Sequence, residues 1–405
     1  MRRLLAIWLI LCATLGLAGH TLAAGLAERS TASADTLLDG VFQAIRDSRL
    51  DHALREVDRL ISLRPDFKLA HLIKGDLLLA RARPLPVLGA ANAASQQSRQ
   101  SLSDLREEAR VRLLRYVDQP DPELLPKQIL QLSSEQKYAL LADASRARLY
   151  LFENVNGEPR LLRDFYMTIG RNGTDKQVEG DKKTPMGLYY ISERINPKVL
   201  DNFYGAGAFP LTYPNEWDQM LKRGGHGIWL HGVPFDTYSR PPRSSDGCVV
   251  VTNPDLNELS RYVQVGVTPV LIAERTDWIA REAWQNLRQE LLDRLGRWRV
   301  DWESRDAERF LAHYASRFLE AEGGEWAANK QRNIANKDWI RVTLNDTSLF
   351  LYSGGDMAVA NFSQHYASDK LTNVTQKRLY LRQERDDWRI ALETSLEPPA
   401  RYAQR

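Results

Sequence analysis

Cysteine is nearly missing from this chain of 405 residues, occurring only as Cys12 and Cys248. A disulfide framework is therefore excluded as its source of stability. An excess of one charge is missing too. Lys and Arg number 55 against 52 Asp and Glu, a formal net charge of +3. So even a balance gives no electrostatic reason to expect nucleic acid or an acidic membrane as partner. Glycine (24) and proline (18) fall short of the excess that marks collagen or wholesale disorder. No phosphate-cradling loop or dinucleotide fingerprint occurs; Gly170-Arg171-Asn172-Gly173 reads as a tight turn. What remains is a globular chain long enough for two or three domains.

Only one long hydrophobic run is present. It extends from Leu4 to Leu17, behind Arg2-Arg3 and ahead of small residues at Ala18-Gly19 and Ala23-Ala24. At about 14 residues it is shorter than the roughly 20 that span a bilayer. The pattern is that of a secretory signal over residues 1–24, cleaved near Ala23 or Ala24. Leu9-Ile10-Leu11 before Cys12 does not fit a lipoprotein site, so no stable membrane span is expected after processing. The expected location is exported, in the periplasm. Removing Arg2 and Arg3 leaves 53 basic against 52 acidic groups, and removing Cys12 leaves Cys248 as the lone thiol.

Residues 35–118 read as a helical domain. Leu37, Val41 and Ile45 share one helical face, as do Leu54, Val57 and Ile61, before Arg64-Pro65-Asp66 interrupts the period. The stretch from His52 to Ala80 resembles one tetratricopeptide-like helical pair without a second copy. Gln119-Pro120-Asp121-Pro122 marks a boundary. Residues 136–274 turn strand-like, with strands expected at 163–169, 188–191, 228–231, 248–251 and 269–273 and a helix near Asp255–Val263. A long glycine-bearing connection before Ile228 suggests a binding loop or lid. Residues 277–393 form a further α+β domain, with an amphipathic helix through Trp284, Leu291, Leu295, Trp298 and Trp302 and a second helix expected over Asp306–Phe318. Tryptophan at this spacing is expected as core.

The chemistry concentrates between Gly225 and Val250. A thiol attacks only as thiolate, and an ordinary pKa of about 8.5 leaves a few per cent ionised at neutral pH. An imidazole within reach takes the proton and returns it to a leaving amine. Only His226 and His231 lie near Cys248 in sequence. A strand ending at His231 is expected to return through the intervening loop to one beginning at Cys248, bringing both side chains to the same sheet end. Gly247 permits an unusual backbone angle, and the amides around Gly247 and Cys248 are candidate oxyanion donors. Sortases also place His before Cys, with a later Arg; Arg261 and Arg275 are unmarked candidates for that role. A metal site built from His226, His231 and Cys248 matches no common zinc spacing, so no metal or organic cofactor is expected.

His231-Gly232 followed by Ser245-Asp246-Gly247-Cys248, behind Thr184-Pro185-Met186-Gly187, resembles the YkuD-type L,D-transpeptidase domain over about residues 136–273. The resemblance implies a cysteine acyltransferase acting on peptidoglycan stem peptides. Its thiol attacks the carbonyl after diaminopimelate in a tetrapeptide stem and expels D-alanine. The acyl group then passes to an amine, giving a crosslink, or to water, giving a tripeptide. Cys248 matches the nucleophile, His231 the general base, and Gly232 the residue whose carbonyl orients the imidazole. Asp246 and Gly247 match the oxyanion turn, with Ser245 leading into it, while the Asp246 carboxylate is expected to face outward. His226 is read as a loop residue or a wall of the substrate site. Many members read S-H-G-C-I-R, so Asp246 stands for His and Val250 for an Arg near the substrate.

The tail resembles the nuclear-transport-factor-2-like domain of certain cell-shape-determining L,D-carboxypeptidases, on Trp302-Glu303-Ser304-Arg305-Asp306, Tyr314, Phe318, Trp326, Lys330, Gln364, Tyr366 and Lys377. The expected fold is thus multidomain: helical N-terminal domain, mostly β YkuD-like catalytic domain, α+β C-terminal domain. Crosslinking leads as the expected outcome, trimming to tripeptides follows, and an inactive peptidoglycan-binding or scaffold module is the alternative from another class. Beyond the stem peptides, a second copy of the chain and other cell-wall proteins are open as partners.

Overall fold

A computed structural model describes residues 33–89, 95–321, 323–385 and 387–396. The expected signal over residues 1–24 lies outside them. The chain divides into two compact units at Tyr116/Val117. In the first, helices α1 (Ala34–Arg46), α2 (Leu50–Leu63), α3 (Lys68–Ala80) and α4 (Gln96–Val117) follow one another. Ser33 caps α1 by accepting from the Thr36 N–H. Leu54, Val57 and Leu60 of α2 are buried, as are Leu69, Ala70 and Ile73 of α3. The buried Arg112 on α4 bonds Glu108 at 2.9 Å and reaches Asp35 of α1 at 2.6 Å, so its charge is matched inside the unit. Among the described residues no helix is long and apolar enough to cross a membrane.

The second unit begins with β1 (Leu125–Pro126), β2 (Ile129–Gln131), β3 (Tyr138–Asp143), β4 (Arg148–Val155), β5 (Glu158–Gly170), β6 (Gly187–Tyr190) and β7 (Ala208–Pro210). It continues with α5 (Glu216–Met220), β8 (Trp229–His231), β9 (Arg243–Ser245), β10 (Val249–Val251), α6 (Asn253–Leu259), β11 (Pro269–Ala273) and β12 (Trp278–Ile279). Helices α7 (Arg281–Glu303), α8 (Ala307–Leu311), α9 (Ser316–Ala321) and α10 (Gly323–Ala335) precede β13 (Ile340–Leu351), β14 (Met357–Ser368), β15 (Thr372–Glu384) and β16 (Asp387–Leu396). The larger sheet runs β6-β11-β3-β4-β5-β10-β8-β7, with β9 beside β5; the second runs β16-β15-β14-β13-β2.

Alternation along the larger sheet separates two buried faces. Leu140, Leu149, Leu151, Phe165, Met167, Leu230, Val249 and Val251 pack with Leu256 and Leu259 of α6. Leu141, Tyr150, Phe152 and Leu271 point the other way and pack on Phe350, Val359 and Tyr380 of the C-terminal sheet. Burial on both faces is why β3 and β11 read as nearly continuous apolar runs. Trp284, Leu291, Leu295, Trp298 and Trp302 of α7 cover the other face of the C-terminal sheet through Leu349, Ala358, Ala360 and Leu379.

The helix expected over Asp306–Phe318 is interrupted. Residues His313 and Ala315 instead exchange backbone hydrogen bonds with Ile390 of β16, each at 2.9 Å. Edge pairing there outcompetes helix continuation and lets the Tyr314 hydroxyl donate to the buried Glu393 at 2.6 Å.

The connection between β7 and β8 is locked to the C-terminal sheet. Glu216 at the start of α5 accepts from Arg378 Nη1 and from the Tyr380 hydroxyl, each at 2.8 Å. Arg378 Nε donates to Asn361 at 2.7 Å, and Trp217 stacks on Tyr380. Burial opposes the Glu216 charge, but Arg378 and the hydrogen bonds outweigh it and hold the carboxyl below its ordinary value. Removing one member of such a pair strands the other. Arg378→Met is expected to lower unfolding free energy by about 3 kcal/mol, read as a lower urea midpoint with unchanged slope. A midpoint equal to wild type would show that the pair contributes nothing.

Candidate active site

Strand β10 runs parallel to β8, with Val249 opposite Leu230 and Val250 opposite His231. Leu230, Val249 and Val251 point into the core below α6. His231, Val250 and, two residues back, Cys248 consequently share the opposite face. His231 and Cys248 are diagonal neighbours there, with backbones about 8 Å apart from strand spacing and rise. The return expected from sequence is thus made between parallel strands. Parallel strands need a crossover, so residues 232–247 traverse the sheet face before Cys248 begins its strand. The crossover is pinned where Tyr166 Oη donates to the Arg240 carbonyl at 2.7 Å and Thr168 Oγ1 to the Pro241 carbonyl at 2.8 Å.

The turn before the nucleophile is held from both sides. Thr184 Oγ1 donates to the Gly247 carbonyl at 2.9 Å and accepts from the Gly170 N–H at 2.9 Å. Ser245 Oγ donates to the Cys248 carbonyl at 2.7 Å and accepts from the Gly247 N–H at 3.1 Å. Gly247 adopts φ +125, and a Cβ there would meet the Lys183 carbonyl at 2.8 Å. The Gly247 amide, a candidate oxyanion donor from sequence, is thus engaged by Ser245 Oγ in this structure. The half-buried Cys248 thiol itself lies 3.4 Å from the Gly227 carbonyl.

His231 Nδ1 lies 2.7 Å from the Gly232 carbonyl. A carbonyl only accepts, so Nδ1 carries the proton and the Nε2 lone pair remains for a substrate proton. The ring packs 5.7 Å from Phe203 and 5.1 Å from Tyr204, both from the turn at residues 202–204. That segment and the end of β8 are joined by Asn253, the first residue of α6. Its Oδ1 accepts from the Ala206 N–H at 2.9 Å and the Val233 N–H at 3.1 Å, and its Nδ2 donates to the Val233 carbonyl at 2.8 Å. Gly232 is required by this close approach, because a Cβ would stand 2.2 Å from Asn253 Oδ1.

Burial lowers the His231 pKa to about 4 against the pull of the Gly232 carbonyl, and the Arg240 charge lowers it further. Burial pushes the Cys248 thiol up to about 11, opposed by the Trp229 N–H and by the charges of Arg240 and Lys176. The resting pair at neutral pH is a thiol and a neutral imidazole. Such a base accepts a proton as the sulfur attacks, without a standing ion pair.

Of the other residues picked from sequence, Asp246 faces outward and pairs with Arg171 at 2.7 Å. His226 is solvent-exposed and lies 3.7 Å from Glu179, away from the nucleophile. Ser245 is buried and serves the turn. Sequence reasoning passed over Asn253, Phe203, Tyr204 and Arg240. The helix-start pattern Thr252-Asn253-Pro254-Asp255 directly after a strand marks Asn253 in retrospect; nothing local marks the other three. Among the described residues no group of three or more His, Cys, Asp or Glu side chains is arranged to hold a metal ion.

Residues 137–272 match the YkuD family, described as the L,D-transpeptidase catalytic domain. Residues 290–394 match the Cds6 C-terminal NTF2-like domain. Among solved structures the chain is similar to Bd1075 of Bdellovibrio bacteriovorus, at 29% identity and TM-score 0.60, over 70% of this chain and 100% of that one. It is also similar in fold to the helical cell shape determining protein Pgp2 of Campylobacter jejuni, at 24% identity and TM-score 0.57, over 65% of this chain and 94% of that one. No curated protein sequence matches it.

Two outcomes test the site. Alkylation of Cys248 by iodoacetamide is expected to rise about tenfold per pH unit from pH 6 to 10, because the thiolate fraction climbs steadily below a raised pKa; a plateau starting near pH 7 would contradict a resting thiol. Asn253→Ala leaves the Ala206 and Val233 amides without their acceptor, which costs about 1–3 kcal/mol. Its thermal midpoint should fall and its alkylation profile change as the His231 strand end loosens.

Proposed function

We propose, for a chain that carries a YkuD-type L,D-transpeptidase catalytic domain joined to a Cds6-type NTF2-like domain, that Cys248 forms an acyl-enzyme with peptidoglycan tetrapeptide stems. The observation carrying it is the shared sheet face of Cys248 and His231, with Nδ1 of the imidazole bound to the Gly232 carbonyl.

Cys248 Sγ attacks the carbonyl carbon after diaminopimelate while its proton passes to His231 Nε2. The carbon–nitrogen bond breaks, the imidazolium returns the proton to the departing amine, and D-alanine leaves. A thioester remains on Sγ. An incoming amine or water then attacks it, giving its proton to His231, and the sulfur departs to recover that proton. With an amine the product is a crosslink; with water it is a tripeptide stem.

Trimming is the second reading, and two observations favour it. Val250 is 1% exposed where the resemblance expects an arginine, so that position supplies no cation to an acceptor stem. The two-domain combination is also the one similar in fold to the cell shape determining Pgp2. We extend the proposal to export into the periplasm, which the basic, apolar and small-residue order from Met1 to Ala24 supports.

Incubation with disaccharide-tetrapeptides, followed by mass spectrometry, separates the readings. Crosslinked dimers mean transpeptidation, tripeptides mean trimming, and unchanged substrate means a binding or scaffold module. Cys248→Ala is expected to abolish D-alanine release; retained turnover would reassign the nucleophile. His231→Ala is expected to slow acylation by a carbapenem at neutral pH by about 10²–10⁴-fold, and an unchanged rate would remove the imidazole from the mechanism.

A further inference from the structure

Several arginines around the catalytic sheet have acidic partners. Arg171 meets Asp246 at 2.7 Å, Arg223 meets Asp175 at 3.1 Å, and Arg163 meets Glu258 at 2.7 Å. Arg240 is half-buried, yet among the described residues its guanidinium makes no ion pair or hydrogen bond. It lies instead over the Phe203 ring, 4.5 Å from the centroid, and that ring packs against His231 at 5.7 Å. A partly desolvated guanidinium keeps five donors in a planar fork suited to a carboxylate. None of its nitrogens is buried without a partner, so the fork stays open to a ligand entering beside the aromatic face.

The backbone under Arg240 is fixed independently of its side chain. Its carbonyl accepts from Tyr166 Oη at 2.7 Å and Thr168 Oγ1 at 3.1 Å. Thr168 is the partner of Val250 across the β5–β10 ladder. The crossover therefore brings a cation over the part of the sheet where Val250 supplies none, on the face that carries Cys248 and His231.

We propose that Arg240 is a specificity-determining residue that binds a stem-peptide carboxylate next to the scissile bond. The inference rests on the acyl-transfer reading above and names the group recognised. Two carboxylates adjoin that bond: the terminal one of the leaving D-alanine and the side-chain one of diaminopimelate. Recognition there would hold the carbonyl against Sγ through two parallel N–H···O contacts.

The test compares three donors in the full-length protein: the free tetrapeptide, its C-terminal amide, and the tetrapeptide amidated at the diaminopimelate side chain. D-alanine or D-alaninamide release is followed by mass spectrometry for wild type, Arg240→Gln and Arg240→Lys. For the free tetrapeptide, Arg240→Gln is expected to lower kcat/KM about 10- to 100-fold, mainly through KM, as expected for loss of a charged hydrogen bond. Arg240→Lys should restore part of it. Wild type should lose the same factor on whichever amide masks the recognised carboxylate, and Arg240→Gln should lose nothing more on that donor. Equal losses on all three donors would overturn the inference while leaving acyl transfer standing. No release from any donor by wild type would overturn the acyl-transfer reading and this one with it. Thermal midpoints close to wild type are expected for both variants, since Tyr166 and Thr168 hold the carbonyl, not the side chain.

Discussion

The site depends on two short strands lying parallel. With β8 and β10 in register through Val249–Leu230 and Val250–His231, the side chains of His231 and Cys248 fall on one face, offset by two residues. An antiparallel hairpin of the same residues would have needed only a tight loop. The parallel arrangement forces residues 232–247 across the sheet. That crossing brings Arg240 to the catalytic face, and its closing turn fixes Gly247 at a backbone angle that suits glycine. Thr184 then ties this turn to Gly170 at the end of β5. One pairing choice thus places the proposed base, the proposed nucleophile and the wall between them.

Burial sets the electrical state of the pair. Desolvation moves both groups toward neutrality, the imidazole down to about 4 and the thiol up to about 11. Arg240 acts on both in the same sense, disfavouring a second positive charge and favouring a negative one. A protonated thiol is a poor nucleophile toward oxidants as well as substrates, which suits an unpaired cysteine in the oxidising compartment proposed for this chain. Reactivity then has to come from a bound substrate whose carbonyl accepts the sulfur's electrons while Nε2 accepts its proton. Electrostatics of this kind favours selectivity over a permanently reactive sulfur.

Much of this was legible in the sequence because it is written in local patterns. The strand at Pro269–Ala273 and the strand after Cys248 follow from apolar runs bounded by turn residues, and the paired motifs around His231 and Cys248 carry the resemblance to the YkuD domain. What escaped depends on contacts remote in sequence. The crossover that joins β8 to β10 shows only once β10 is seen between β8 and β5, which it meets through Thr168 and Met167. The break at His313 is decided by Ile390, some 77 residues later in the chain. Arg240 looks like any loop arginine until Tyr166, Thr168 and Phe203 are brought around it. Residues 129–131 show the same limit, since β2 precedes the catalytic sheet in sequence but completes the C-terminal one.

The C-terminal sheet takes part in building the catalytic one. Leu141, Tyr150 and Phe152 pack on it directly, so the face that bears His231 further along is continuous with an interdomain core. Glu216 and Trp217 extend that contact into the connection leading to Gly227, whose carbonyl faces the Cys248 sulfur. From Arg378 the constraint passes through α5 and the 221–228 segment to the nucleophile without leaving the chain. Packed interfaces of this kind deform in discrete steps. A C-terminal domain held this way therefore acts as part of the frame of the site, and cutting it away exposes the apolar face of β3, β4 and β11 that it covers.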